Sequence, residues 1–175
     1  MDDVAALRGL SLGYAAAVDG LDGGAFASLF AGDGELWVPD VTVGHESTVC
    51  RSGTAALSRI PSGLARYHAT HHRVGLATYV LDGDTATGEV AGVAHHLTAS
   101  DPSRGALAGG GPGTDTIWYL DYRDRYRRGD DGWRITRREL HLRWIETRAL
   151  PHVGPGRRAG RAGDGHPGRG RTLGP

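Results

Sequence analysis

Three short stretches of this chain carry side chains suited to moving protons. Asp19 follows Tyr14 by five residues. The run Tyr67-His68-Ala69-Thr70-His71-His72 places three imidazoles within six positions, and His95 and His96 stand together further on. Histidine is close to half-protonated near neutral pH, so it can take a proton and give it back. A carboxylate bonded to the far ring nitrogen fixes the tautomer and favours the cation that appears during reaction. A second histidine, or a phenol such as Tyr14, can then polarise a carbonyl or assist a departing hydroxyl. Those parts suffice for elimination of water beside a carbonyl, or for proton shuttling in an isomerisation or cyclisation. They need no cofactor.

Each residue also has a plainer role open to it. Asp19 can cap the loop between two helices, Tyr14 can be a core residue on a helix face, and His68 suits the end of a helix. Asp124 reads as a structural partner for an arginine across a sheet. The six histidines from His45 to His96 invite a metal reading, with His68, His71, His72 and His96 as nitrogen ligands and Asp19 as oxygen. No HExxH or Cys/His framework accompanies them, so the expectation is no metal.

The elements that must position these groups follow from periodicity. Val4, Leu7, Leu10, Tyr14 and Val18 recur at helical spacing, with Asp2 or Asp3 to cap the helix and Gly20 to end it. Asp22 opens a second helix running through Phe26, Leu29 and Phe30. A short strand covers Glu35–Val38, stopped by Pro39, and a small hairpin is expected near Thr48–Arg51. Thr54–Tyr67 is helical in character but broken by Pro61. Beyond it the period changes to that of strands: 73–81 and 85–97 join through Asp82-Gly83-Asp84, and 114–128 and 133–145 through Gly129-Asp130-Asp131-Gly132. Residues 101–113 read as a loop. Helices first and long antiparallel strands afterwards make an α+β fold. The expected form is a curved antiparallel sheet wrapped around N-terminal helices, a cone or α+β barrel with a mostly apolar pocket at its open end.

Composition bounds the function. The chain has 175 residues, enough for one domain at 1–150 and a tail at 151–175. The tail, rich in Gly, Pro and Arg, has too few apolar side chains to offset the entropy of ordering and is expected to be disordered. Residues 1–150 carry 15 Arg against 19 Asp and Glu, so nothing in them argues for nucleic acid. Lysine is absent, which excludes a Schiff-base lysine; the arginine-only, Ala/Gly-rich usage fits a GC-rich bacterial genome. The acidic start Met1-Asp2-Asp3, the lone Cys50 and the want of any long apolar run give a cytoplasmic expectation with no membrane contact.

In order and spacing, the motifs resemble the SnoaL-like family of the nuclear-transport-factor-two-like superfamily, above all its scytalone dehydratases, bile-acid dehydratases and lindane dehydrochlorinases. Tyr14-Ala-Ala-Ala-Val-Asp19 is similar to the family's helix-one tyrosine and aspartate. Tyr67–His72 resembles the segment that supplies the dehydrochlorinase histidine, with His72 in its place. Counting from Gly88, His96 falls on the second dehydratase histidine, so strand alternation turns His96 inward and His71 and His95 outward. Trp133 and then Leu142-Arg143-Trp144 resemble the family's tryptophan and Ile-Arg-Trp, which implies Arg143 at the pocket mouth. Tyr122, Asp124 and Tyr126 resemble its aromatic-acid-aromatic strand. The sequence departs from the pattern where Trp37 or Val38 replaces a second tyrosine, and where Leu120 and Tyr122 replace a serine and an asparagine.

The resemblance implies a cofactor-independent lyase of dehydratase type acting on a small, largely apolar hydroxy-carbonyl compound of the kind made in secondary metabolism. Its catalytic residues would be Asp19, His72, His96 and Tyr14. Arg143, Tyr122, Trp37, Trp118 and Leu120 would bind substrate, with Leu36, Leu76 and Val90 shaping the lining. The same parts serve a polyketide-type or ether-forming cyclase or an isomerase, and a non-catalytic small-molecule-binding protein is the alternative from another class. A homo-oligomer, dimer or trimer, is implied as well.

Overall fold

A computed structural model describes residues 2–42, 44, 47–99 and 113–150. The tail expected at 151–175, most of the loop expected at 101–113, and His45 lie outside the described residues.

Helix α1 (Asp3–Asp19) begins where the Asp2 carboxylate accepts the Val4 N–H at 3.2 Å, and it ends at Gly20. Its apolar stripe, Leu7, Leu10, Tyr14 and Val18, is buried as the periodicity requires. Helix α2 (Gly23–Ser28) is capped by Asp22, which accepts the Ala25 N–H at 2.9 Å. It is shorter than expected. The Leu29 carbonyl accepts the Ile135 N–H at 2.9 Å, so Phe30 is already drawn into the sheet and starts strand β1 (Phe30–Pro39).

Strand β2 (Ser47–Ser52) pairs with β1. Helix α3 (Thr54–Leu57) and a 3₁₀ turn (Pro61–Arg66) divide at Pro61 as the sequence suggests. Four long strands follow: β3 (Ala69–Asp82), β4 (Thr85–Thr98), β5 (Gly113–Gly129) and β6 (Gly132–Leu150). Gly83 and Gly132, at φ +58 and +92, supply the left-handed conformation that the two hairpin turns need. The sheet order is β2-β1-β6-β5-β4-β3. All neighbours are antiparallel except β1 and β6, which run parallel, a pairing not expected from the sequence. The sheet stays open, with β2 and β3 as its edges. Register shifts in β3, in β6 opposite Tyr119/Leu120, and near Arg125 mark bulges that bend the strands around α1.

The core holds an ion pair. Arg138 and Asp124 sit opposite each other on β6 and β5, both side chains at 0% exposure. Arg138 Nε and Nη2 donate to the two Asp124 oxygens at 2.8 and 2.6 Å, and Nη2 also donates to Ser11 Oγ on α1 at 2.9 Å. The Tyr126 hydroxyl donates to the same carboxylate at 2.5 Å. The guanidinium lies 4.4 Å from the Tyr14 ring centre and 4.5 Å from that of Tyr122, so two aromatic faces share the cation. Among the described residues Nη1 has no hydrogen-bond partner; the ring faces are its compensation. Gly92 leaves the space for Tyr122, since a Cβ there would stand 2.6 Å from the phenol ring.

Removing one partner strands a buried charge. Arg138→Met should cost about 3–5 kcal/mol of unfolding free energy in denaturant titration, and adding Asp124→Leu should recover most of the loss. Gly92→Ala should cost about 1–3 kcal/mol by forcing Tyr122 aside.

Candidate active site

Asp19 is the last residue of α1, where a carboxylate faces the negative end of the helix dipole and gains nothing from it. Nor does it cap α2, because Asp22 does that. Its hydrogen bonds go to β3. That strand is a sheet edge, so the His72 N–H is not used by a neighbouring strand, and Asp19 Oδ2 accepts it at 2.8 Å. Asp19 Oδ1 accepts from Thr70 Oγ1 at 2.9 Å and lies 2.7 Å from His72 Nδ1. Thr70 and His72 are two apart and therefore share the inner face. Burial pushes the Asp19 carboxyl up, but the His72 ring and backbone bonds, the His72 charge and Thr70 outweigh it and hold it below the ordinary carboxylate range.

Strand register carries the same face across the sheet. Thr70 lies opposite His96, His96 opposite Thr116, and Ala94 opposite both His72 and Trp118. The His72 and His96 rings meet edge-on at 5.7 Å between centres. His96 is buried, held between Tyr67 at 4.9 Å and Trp118 at 5.3 Å. Its Nδ1 stands 3.3 Å from the Thr116 carbonyl. A carbonyl only accepts, so Nδ1 carries the proton and Nε2 keeps its lone pair. Burial, then the His72 charge, with a further contribution from Arg66, pushes the His96 imidazole down to about 4 against the Thr116 bond. His96 is neutral at pH 7. The same logic gives His72 a proton on Nδ1, toward Asp19, and a lone pair on Nε2.

Other expected site residues divide. Tyr14 and Tyr122 meet edge-on at 5.4 Å over Arg138, on the core side of α1, and Leu120 is buried on the same strand face as Tyr122. No hydrogen bond joins Tyr14 to Asp19, His72 or His96 among the described residues. Burial pushes the Tyr14 phenol up to about 12, and burial, with Tyr14 next, pushes Tyr122 up as well.

Three residues lie away from the site. Leu36 is buried on β1, so alternation turns Trp37 to the outer face, where its Nε1 donates to Glu35 at 2.8 Å and Arg137 covers its ring. Arg143 was expected at the pocket mouth, but buried Leu142 before it turns it outward, and its Nε donates to Asp121 at 2.5 Å. It lines a groove on the outer face with Arg73, Val93, Tyr119 and Trp144. Leu76, expected in the lining, is 87% exposed at the β3 bulge. The second outer groove lies among Thr78, Thr87, Arg123 and Glu139. Neither groove is lined by Asp19, His72 or His96.

Thr70, Tyr67, Thr116 and Arg138 have structural parts here that sequence reasoning did not assign. Thr70 was within reach of it, two residues from His72 on a predicted strand approach. Among the described residues no three His, Cys, Asp or Glu side chains gather to hold a metal. No helix of the described chain is long and apolar enough to cross a membrane.

The same architecture recurs in solved structures. A candidate scytalone dehydratase from Novosphingobium aromaticivorans is 22% identical, with a TM-score of 0.64 over 91% of this chain and 94% of that one. The hexachlorocyclohexane dehydrochlorinase LinA-type3 from Novosphingobium barchaimii is 17% identical, with a TM-score of 0.66 over 86% and 93%. A variant of a Mycobacterium tuberculosis protein of unknown function is 25% identical, with a TM-score of 0.62 over 79% and 70%. An N. aromaticivorans protein of the cystatin-like, nuclear-transport-factor-two-like fold also aligns, at a TM-score of 0.58. No curated protein sequence matches. The SnoaL-like domain family matches residues 1–139, nearly all of the folded part, and the chain belongs to that family.

Proposed function

We propose that the chain is a cofactor-independent dehydratase acting on a small, uncharged hydroxy-carbonyl compound. The observation that carries this reading is the Asp19–His72 pair: Nδ1 to Oδ1 at 2.7 Å, the ring side chain only 9% exposed. With Nδ1 committed to Asp19, His72 Nε2 is the base. It takes the proton from the carbon beside the substrate carbonyl, and Asp19 stabilises the imidazolium that results. The carbanion's electron pair forms the C=C bond as the C–O bond breaks, and His72 Nε2–H returns its proton to the departing hydroxide, which leaves as water.

His96 assists the leaving hydroxyl as an acceptor rather than as an acid. With its proton on Nδ1 and a neutral ring, it cannot protonate a leaving group; its Nε2 accepts the substrate hydroxyl's O–H and holds the C–O bond in line. That acceptor suits a hydroxyl-bearing substrate. Trp118 and Tyr67 flank His96 and form the apolar wall. Tyr14 and Tyr122, kept as neutral phenols, are the donors available to a carbonyl oxygen. The charged groups of the inner face, Asp19 with His72 and Asp124 with Arg138, are already paired, which suits a neutral ligand. The likeness to proteins described as dehydratase and dehydrochlorinase agrees with elimination chemistry on this fold.

The test is a panel of β-hydroxy ketones and related aromatic hydroxy ketones, followed by mass for loss of 18 Da, the mass of water. His72→Ala and Asp19→Asn should each lower kcat about 10²- to 10⁴-fold, while ligand binding measured by calorimetry survives. Full turnover by His72→Ala would reject the assignment. Binding without turnover by the native chain across the panel would favour a carrier.

A further inference from the structure

The hairpin that presents His72 and His96 inward presents His71 and His95 outward, directly opposite each other in register. Their ring centres are 6.2 Å apart with planes tilted by 36°. Each has its Nδ1 turned toward a carboxylate. His95 Nδ1 is 2.8 Å from Asp115 Oδ2, and His71 Nδ1 is 3.9 Å from Asp19 Oδ2. The Asp115 bond leaves His95 Nε2 as the ligand atom, the arrangement in which a carboxylate behind an imidazole orients a metal-binding histidine, while His71 stands beyond hydrogen-bond reach of Asp19 and can turn its ring to the ion.

Asp115 adds a second reason. It is a buried carboxylate, 8% exposed, and its Oδ1 has no hydrogen-bond partner among the described residues. Arg148 lies opposite it on β6 but makes two bonds to Glu146, at 2.9 and 3.0 Å. A buried carboxylate with one hydrogen bond is costly unless its donor carries positive charge. A cation on the far nitrogen of His95 supplies that polarisation.

We infer that the outward His71–His95 pair, backed by Asp115, is a binding site for a borderline-soft divalent cation such as Zn²⁺, Ni²⁺ or Cu²⁺. Two imidazoles hold the ion and water fills the other positions. Metal–nitrogen bonds of about 2.0–2.1 Å bring two ligating rings to about 5 Å between centres. His71, at 63% exposure, has the side-chain freedom to close the difference. The site stands apart from the proposed reaction and does not depend on it.

Calorimetric titration of the full chain with Zn²⁺, and separately Ni²⁺, at pH 7.5 tests the assignment. One ion per chain should bind with micromolar affinity. His71→Ala and His95→Ala should each weaken binding at least tenfold, Asp115→Asn about tenfold, and His72→Ala less than twofold. Thermal melting of each variant without metal checks that the fold is retained. Binding unchanged in His71→Ala and His95→Ala would place the ion on other histidines and overturn the proposal. Loss in His72→Ala, or no saturable binding by the native chain, would overturn it equally.

Discussion

One carboxylate closes this molecule at its open edge. Among the described residues strand β3 has a neighbour on one side only, and a bare strand edge is an invitation to foreign pairing. Asp19 occupies that edge by accepting the His72 N–H, the Thr70 hydroxyl and the His72 ring together. The end of α1 is thereby pinned to the sheet, and the imidazole is fixed in both rotation and tautomer. Placing a negative charge at the end of a helix runs against the dipole, by about 0.3–1 kcal/mol at an exposed site. The three bonds from β3 offset it. A position that local helix energetics disfavour, held by distant partners, is the kind of local conflict that functional sites show.

The second ion pair does a different job from the first. Arg138 and Asp124 are sealed in the core, with Ser11 of α1, Tyr126 of β5 and the faces of two tyrosines as partners. Such pairs add little net stability relative to an apolar replacement, but they tolerate only one arrangement of their neighbours. Here that arrangement sets the depth of α1 on the sheet. It also sets the tilt of Tyr14 and Tyr122. The rigid half of the molecule therefore lies around Arg138, and the proton-transferring half lies toward the ends of β3 and β4.

Much of this was legible in the residues, and the rest was hidden for identifiable reasons. The apolar stripe of α1, the caps at Asp2 and Asp22, and the two glycine turns are local signals, and they locate α1, α2 and the hairpins. The inward pair His72 and His96 came from the family resemblance, which set the phase at Gly88 and at the Tyr67–His72 segment, with a period of two along the strands carrying it to the neighbouring positions. Asp124 was readable as an arginine's partner, although nothing pointed to Arg138 among the arginines of β6. Trp37 went astray because a four-residue strand signal is too short to fix its phase, and β1 proves to be ten residues long. Around Arg143 a bulge opposite Tyr119/Leu120 makes the strand lose step. Leu142 then points in while Trp144 stacks outside on Tyr119 at 4.5 Å. The parallel β1–β6 contact left no trace, since it joins segments about a hundred residues apart.

That contact governs the order in which the protein can be completed as it leaves the ribosome. The helices and β1 emerge early, yet Phe30 must wait for Ile135 before it has a lateral partner on that side. Until β6 is synthesised the nascent chain can hold α1, α2, the β1–β2 ribbon and, later, the β3–β4–β5 meander, but the ribbon has no strand to join it to that meander. Closure is then a late, non-local event, and a chain stopped short of β6 would be a sticky fragment rather than a smaller working protein.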